Sequence, residues 1–313
     1  MDAVGRYWPR TAQGSLAVNA GPRRILAVFN PAAGRNRRAR FDDIVELLRK
    51  SGCVVSVVET KAPGHAEAIA REASANQNSE FDVIVAAGGD GTVNEIVNGL
   101  KGGSLVLGLM PLGTANVLAD EIALGRSVEA TARALALGPI RPIHLGRING
   151  RRFVMMAGAG FDANVVHGVS LALKKVIGPL AYVWQAAVQA FREDHAGCAV
   201  TIDGVSYKTT SVVVCNGRRY GGPFIAAPNA SLTEDRFHVV LMQGRGWINI
   251  ARYGIALILG KISTLSDVLI VPGRDVEVDG IKGRPVQADG DIIATLPAHI
   301  SVDPEPVRLI FPA

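Results

Sequence analysis

The apolar positions in the first half of the chain fall into short blocks that alternate between two periods. Residues 24–29 (RILAVF), 53–58 (CVVSVV), 81–87 (FDVIVAA) and 105–110 (LVLGLM) are continuous aliphatic or β-branched runs, which predicts buried strands. Between them the spacing becomes helical. Phe41, Ile44, Val45 and Leu48 share one face of a helix predicted over 41–50 and stopped by Gly52. Residues 65–75 form an alanine-rich helix, and Val93, Ile96, Val97 and Leu100 line the inner side of another. Two more helices are predicted over 117–124 and 128–137, the second closed by Gly138-Pro139. Wholly apolar strands alternating with helices predict a parallel sheet covered on both faces.

After about residue 140 the pattern changes. Asn149-Gly150 separates HLGRI from RRFVMMA, and Asp203-Gly204 separates CAVTI from VSYKT, both strong hairpin signals. Further strands are predicted at 212–215, 237–242, 268–271, 276–278 and 286–289, with helices over 171–192 and 247–259. The expected fold is a Rossmann-like parallel α/β domain followed by a mostly antiparallel β-rich domain, with the active site in the inter-domain cleft. The expected boundaries are a leader over 1–22, a nucleotide-binding domain over 23–140 and a lipid-substrate domain over 141–313, the last strands returning to the first domain.

Composition narrows the function classes. Of 313 residues, 48% are hydrophobic and 19% charged, so the chain has material for a large core. Cys53, Cys198 and Cys215 are dispersed and odd in number, which excludes a disulfide scaffold or a cysteine zinc site and favours a reducing compartment. Mean hydropathy is +0.23, yet no uncharged run approaches the ~18 residues of a spanning helix. The best run, 248–260, is interrupted by Arg252. The opening MDAVGRYWPR has no apolar segment of a secretory signal. A net charge of +5 favours an anionic partner. These features predict a soluble cytoplasmic protein drawn to negative charge.

The strongest chemical feature is Gly88-Gly89-Asp90-Gly91-Thr92 between a buried strand and a helix. Glycines let backbone amides approach a ligand, and the helix N-terminus adds positive potential, which suits a phosphate. The plainer reading is a tight strand–helix turn with Asp90 as a helix cap. No Walker A motif, protein-kinase motif or dinucleotide G-x-G-x-x-G accompanies it. Two further small-residue loops follow strands one and four: Asn30-Pro31-Ala32-Ala33-Gly34 and Pro111-Leu112-Gly113-Thr114-Ala115-Asn116. Ligands of open α/β sheets collect at that edge. Arg35, Arg37, Arg38 and Arg40 follow the first loop, and the expectation is a solvated helix start from which one of them reaches a phosphate.

N-P-x-x-G, G-G-D-G-T-V-N-E and P-L-G-T-A-N, in this order and spacing, resemble the diacylglycerol kinase catalytic-domain family, which includes sphingosine and ceramide kinases and is more distantly related to NAD kinases. Asn216-Gly217, Gly221-Gly222-Pro223, Ala227-Pro228-Asn229-Ala230 and Asp289-Gly290-Asp291 extend the likeness toward the C-terminus. The resemblance implies that Asn30, Pro31, Ala32, Ala33 and Gly34 form the first nucleotide loop and that Thr60 contacts nucleotide. It implies that Gly88, Gly89, Asp90, Gly91, Thr92, Val93 and Asn94 wrap the phosphates, and that Gly113, Thr114 and Asn116 hold the nucleoside side. Asp289-Gly290-Asp291 corresponds to the family's D-G-E, with the final Glu shortened to Asp. Asp90, Asp289 and Asp291 are then the catalytic carboxylates, one holding Mg²⁺ and another taking the hydroxyl proton, with the two roles unassigned.

Some members bind a structural Mg²⁺ through an A-x-L-x-D-G-x-L-D segment. Here Glu234 replaces the first Asp, Asp235 the Gly and His238 the last Asp, leaving Glu234 as the candidate ligand. The apolar helices over 171–192 and 248–259 read either as core or as a wall around an acyl chain, with Lys174 and Lys175 near anionic headgroups. Tyr182 and Trp184 read as packing residues. The implied activity is transfer of the ATP γ-phosphate to a primary hydroxyl of a membrane lipid, diacylglycerol-like or sphingoid. The protein would work at the inner membrane face, with ATP, Mg²⁺, a lipid and a second copy as partners and no nucleic acid. The alternatives are an NAD kinase-like phosphotransferase and a non-catalytic nucleotide or lipid sensor on the same fold.

Overall fold

The computed structural model describes residues 22–33, 37–75, 80–100, 105–160 and 197–313. Two compact units emerge, one of residues up to Ile143 together with Glu305–Ala313, the other His144–Pro304.

In the first unit, β1 (Arg24–Phe29), β2 (Val54–Glu59), β3 (Val83–Gly88) and β4 (Val106–Pro111) run parallel, in the spatial order β2-β1-β3-β4. The strands β3 and β4 are buried along their whole length, as a sheet covered on both faces requires. Helices α1 (Arg37–Lys50), α2 (His65–Ala75), α3 (Asp90–Gly99), α4 (Val117–Glu121) and α5 (Val128–Leu137) connect them. The predicted inner faces are the observed ones: Phe41, Ile44, Val45 and Leu48 of α1 are buried, as are Val93, Ile96 and Val97 of α3. Phe41 stacks on Phe29 at 4.4 Å between ring centroids. Arg23, itself buried, donates from its guanidinium to the carbonyls of Leu135 (2.6 Å) and Gly138 (2.7 Å), capping α5 where the helix presents its negative end.

Several elements differ from the sequence pattern, among them α1, which starts at Arg37 rather than 41. The α4 helix ends at Glu121 rather than 124, because Ala123 takes φ 55°, which no α-helix continues. The segment Ile140–Ile143, which straddles the expected boundary at 140–141 and contains Pro142, is a strand, β5. It lies at the sheet edge, the place where a proline's missing N–H costs no ladder bond. Between β4 and β5 lies Val307–Ile310, a strand from the far end of the chain, parallel to β4 and antiparallel to β5.

Among the described residues, the strands of the second unit all pair antiparallel. One sheet takes β6 (Gly146–Ile148), β7 (Arg151–Phe153), β9 (Cys198–Ile202), β10 (Val205–Thr209), β16 (Asp275–Asp279) and β19 (Ala298–Val302); the other takes β8 (Met156–Gly160), β11 (Ser211–Cys215), β14 (Phe237–Met242), β15 (Val268–Gly273), β17 (Pro285–Ala288) and β18 (Asp291–Thr295). Inward residues of both sheets, among them Ile148, Phe153, Val200, Val214, Phe237, Leu241, Val278 and Ile300, make one core. Each such buried aliphatic or aromatic side chain contributes about 1.5–3 kcal/mol. Gly146 faces Phe153 across the β6–β7 pair, and a Cβ there would lie 2.0 Å from the ring, so only glycine admits it. A two-stranded ribbon, β12 (Arg219–Tyr220) with β13 (Phe224–Ile225), and helix α6 (Trp247–Ile258) also belong to the unit. The strand Val307–Ile310 of the first unit is β20. The helix expected over 171–192, with Lys174, Lys175, Tyr182 and Trp184, lies outside the described residues, as do residues 1–21 of the leader expected over 1–22, Gly34 and Arg35.

Candidate active site

In the first unit the loops after β1, β3 and β4 are tied to one another at the C-terminal edge of the sheet. The chain order reverses between β1 and β3, and at such a switch point the loops part to leave a crevice. Asn30 occupies that point. Its backbone N–H bonds to Ala87 O at 2.9 Å, its Nδ2 donates to Thr92 Oγ1 at 3.0 Å, and its Oδ1 accepts Ala32 N–H at 3.0 Å. Pro31–Ala33 form a short 3-10 turn. Thr60 follows β2 and bonds through its N–H to Phe29 O at 2.8 Å, placing it next to this loop.

The glycine-rich segment contains less loop than its sequence suggests. The α3 helix begins at Asp90, with Gly89 as its N-cap, so Gly91 and Thr92 are already helical. Thr92 and Val93 are buried, and their N–H groups both bond to Gly89 O. Gly91 is exposed, and a Cβ there would meet nothing within 4 Å, so the first turn of α3 is open on its outer side. Asn94 is half-buried and its carbonyl and Oδ1 accept from Asn98 Nδ2. Farther along α3, Glu95 accepts from Gly64 N at 2.9 Å and Ala66 N at 3.1 Å, capping α2.

Gly89 and Gly113 are where the loops cross. A Cβ on Gly113 would lie 2.4 Å from Gly89 Cα, and one on Gly89 3.1 Å from Gly113 Cα. Leu112 N and Gly113 N both donate to Gly88 O, at 2.8 and 3.0 Å. Asn116, at φ 52°, folds its carboxamide back on Gly113: Oδ1 accepts Gly113 N–H at 2.8 Å and Nδ2 donates to Gly113 O at 2.8 Å. Arg37 Nη1 also donates to Gly113 O. Thr114 is exposed beyond this knot.

The Asp90 carboxylate is committed to the same knot. Oδ2 accepts Asn116 N–H at 2.9 Å and Oδ1 accepts Val117 N–H at 2.7 Å, so Asp90 caps α4 rather than its own helix. Burial pushes its carboxyl above the ordinary 3.8, and the backbone amides of Val117 and Asn116 oppose that shift. Of the arginines after the first loop, Arg38 pairs with Asp42 at 3.0 Å and with Glu59, and lies over Phe29 at 5.4 Å.

In the second unit Asp289 and Gly290 form the β17–β18 turn, with φ of 49° and 92°. Asp289 accepts three backbone N–H groups, from Val154 (2.6 Å), Met155 (2.9 Å) and Met156 (3.2 Å). Asn216, fully buried, holds the same three-residue turn from its carbonyl side: Nδ2 donates to Val154 O at 2.7 Å and its N–H to Met155 O at 2.8 Å. Sequence reasoning singled out Asn216 only as a family landmark; its part in fixing the Asp289 turn emerges from the structure. Asp291, two residues on, is exposed, and its carboxylate has no hydrogen-bond or ion-pair partner among the described residues.

At Glu234, the candidate Mg²⁺ ligand, the carboxylate faces a cationic neighbour. That carboxylate lies 3.5 Å from the Arg236 guanidinium, and Asp235 lies 2.8 Å from Arg274 and 3.6 Å from His144. Both carboxylates are thus paired with basic side chains. His238 offers an imidazole whose pKa burial lowers, but among the described residues no three His, Cys, Asp or Glu side chains converge.

Comparison with known proteins completes the picture. The sequence profile described as "Diacylglycerol kinase catalytic domain" matches residues 24–148, and that described as "YegS C-terminal NAD kinase beta sandwich-like domain" matches residues 155–311. A diacylglycerol kinase of Bacillus subtilis (strain 168) is 27% identical over 283 residues, covering 88% of this chain and 92% of its own. One from Staphylococcus aureus (strain bovine RF122 / ET3-1) is 24% identical over 285 residues, covering 88% of this chain and 89% of its own. A crystal structure of a diacylglycerol kinase from Bacillus anthracis str. Sterne superposes with a TM-score of 0.76 at 22% identity, covering 92% of this chain and 97% of that one.

Proposed function

The chain belongs to the diacylglycerol kinase catalytic-domain family, phosphotransferases with an alcohol group as acceptor, and from that premise we propose that it moves the γ-phosphate of ATP to a primary hydroxyl of a membrane lipid. The observation that carries the reading is the knot of Asn30, Gly89 and Gly113. Three backbone loops are held in contact around the open first turn of α3, as a polyphosphate needs. ATP enters as its Mg²⁺ complex and is substrate. Gly89 and Gly91 offer close backbone approach at the phosphates, while Thr114, exposed beside the buried Asn116, and Thr60 serve the nucleoside side.

In this reading the three carboxylates divide their work. Asp90 and Asp289 are positioning residues, each holding backbone amides of a neighbouring segment. Asp291 keeps its carboxylate uncommitted, so it accepts the proton of the attacking hydroxyl. Phosphoryl transfer asks little more of the protein than positioning and charge stabilisation.

The test is turnover of labelled ATP with Mg²⁺ and mixed micelles of diacylglycerol, sphingosine, ceramide or phosphatidylglycerol, beside an NAD arm and a no-acceptor control. Labelled lipid that disappears in Asp291→Asn supports the reading and identifies the acceptor class. Labelled NAD replaces it with the nicotinamide-nucleotide alternative that the β-sandwich likeness keeps in view. Bound ATP with no labelled product in any arm leaves the sensor.

A further inference from the structure

Helix α6 presents apolar surface on both of its sides. Tyr253 and Ala256 are buried on the inner side, and Tyr253 is pinned there, its hydroxyl donating to Asp267 at 2.5 Å and accepting Gly244 N–H at 2.6 Å. The outer side carries Ile248 (65% exposed), Ile255 (59%), Ile258 (47%) and Leu259 (63%). Ile248, Ile255 and Leu259 fall at i, i+7 and i+11, one continuous stripe on a helix. Leu269 on the edge strand β15 is also exposed. Scattered exposed aliphatics are ordinary, but four on one helical face form a patch that wants a cover.

The charge around the stripe says what kind of cover. Residues 243–266 contain no Asp or Glu, and their charged residues are Arg245, Arg252 and Lys261. Arg252 is spent on Asp267. Arg245 and Lys261, exposed beyond the two ends of the helix, have no side-chain hydrogen bond or ion pair among the described residues. A second copy docking through the same face would bring like charges together, whereas an anionic bilayer meets both the stripe and the charges.

We propose that α6 is a membrane-docking helix: it lies in the surface of an anionic bilayer with Ile248, Ile255, Ile258 and Leu259 at the headgroup–acyl boundary and Arg245 and Lys261 on lipid phosphates. The inference rests on the lipid-phosphotransferase reading only for why a bilayer is the surface approached.

Co-sedimentation of the full chain with phosphatidylcholine vesicles, with and without phosphatidylglycerol, tests it. The wild type is expected to pellet with the anionic vesicles, and less so in high salt. The Ile248→Glu/Ile255→Glu pair, folded by thermal melt, is expected to lose about tenfold or more in partitioning. Should that pair fail to fold, Arg245→Gln/Lys261→Gln, which alters only solvent-exposed heads, is expected to lose about tenfold on anionic vesicles. Wild-type partitioning in either folded variant, or no wild-type binding to either vesicle, overturns the proposal. So does a wild-type dimer in sedimentation that the Ile→Glu pair dissociates, with no vesicle binding. A water-soluble short-chain diacylglycerol separates the two readings. Retained turnover with lost vesicle binding in the Ile→Glu pair is the expected result, and α6-dependent binding without turnover of any lipid removes the kinase reading while leaving the docking helix in place.

Discussion

The Asp90 carboxylate closes on the start of α4, with Oδ2 2.9 Å from the backbone nitrogen of Asn116. The aspartate of the glycine-rich loop and the loop after β4 are therefore one mechanical object. Removing the carboxylate releases a helix start as well as a charge. Asp90→Asn keeps one acceptor and turns an amide toward the other N–H, so it is expected to abolish turnover and also to cost about 1–3 kcal/mol of stability. Urea unfolding beside an ATP-binding titration checks both; wild-type stability in the variant would remove the cap.

The same carboxyl gives a pH signature. Its folded pKa is raised by burial, so between 3.8 and the raised value the native state holds a proton that the unfolded chain has released. In that window the Asp90 contribution makes stability fall as pH rises, because the native state binds more protons. Wild-type minus Asp90→Asn unfolding free energy, measured from about pH 3 to 6, is expected to decline with pH. A flat or rising difference would contradict the buried assignment.

Asp291 and Asp289 are expected to separate cleanly. Asp291→Asn should lower kcat by about 10²–10⁴ with the melting temperature unchanged, since its carboxylate holds nothing in place. Asp289→Ala should lose stability together with activity, because three N–H groups of the 154–156 turn lose their acceptor. Asp291→Glu restores the family's residue, and retained activity would show that the site tolerates one more methylene. Equal melting losses at both positions would refute the division.

Gly113→Ala forces a Cβ to within 2.4 Å of Gly89 Cα, a backbone atom that cannot swing aside. The loops must part, so the KM for ATP is expected to rise by about tenfold or more, the lipid KM holding steady. An unchanged nucleotide KM would show that this crossing does not shape the nucleotide site.

The three cysteines should be silent in the native protein. All are buried, and burial pushes the Cys198 thiol up to about 11. Maleimide at neutral pH is expected to label them only after denaturation; fast native labelling of Cys198 would refute its environment.

How far the sequence reached can be judged element by element. Period and punctuation placed α2 and α5 at their observed ends, because Gly64 before one and Gly138-Pro139 after the other are local stops. Val93, Ile96 and Val97 were legible as an inner face for the same local reason. What lay hidden depends on partners far along the chain. β5 carries a proline that argues against a strand until its edge position is known, and β20 is only four residues long with Arg308 among them. Among candidate site residues, the glycines and Asn30 were readable as loop chemistry. The hydrogen bonds that occupy Asp90 and Asp289 were not, because an aspartate beside glycine reads the same whether its carboxylate faces a ligand or a peptide N–H. Glu234 could be recognised as a departure from the family segment, but its guanidinium neighbour could not.

β20 inserts between β4 and β5. During synthesis on the ribosome, everything else in the first unit's sheet emerges early and then waits, with a gap beside β4, until the whole second unit has been made. N-terminal units ordinarily fold first as they emerge. Here the first unit can complete its sheet only after translation has reached residue 310, so a chain interrupted in the second unit is left with an open strand edge and no finished kinase fold.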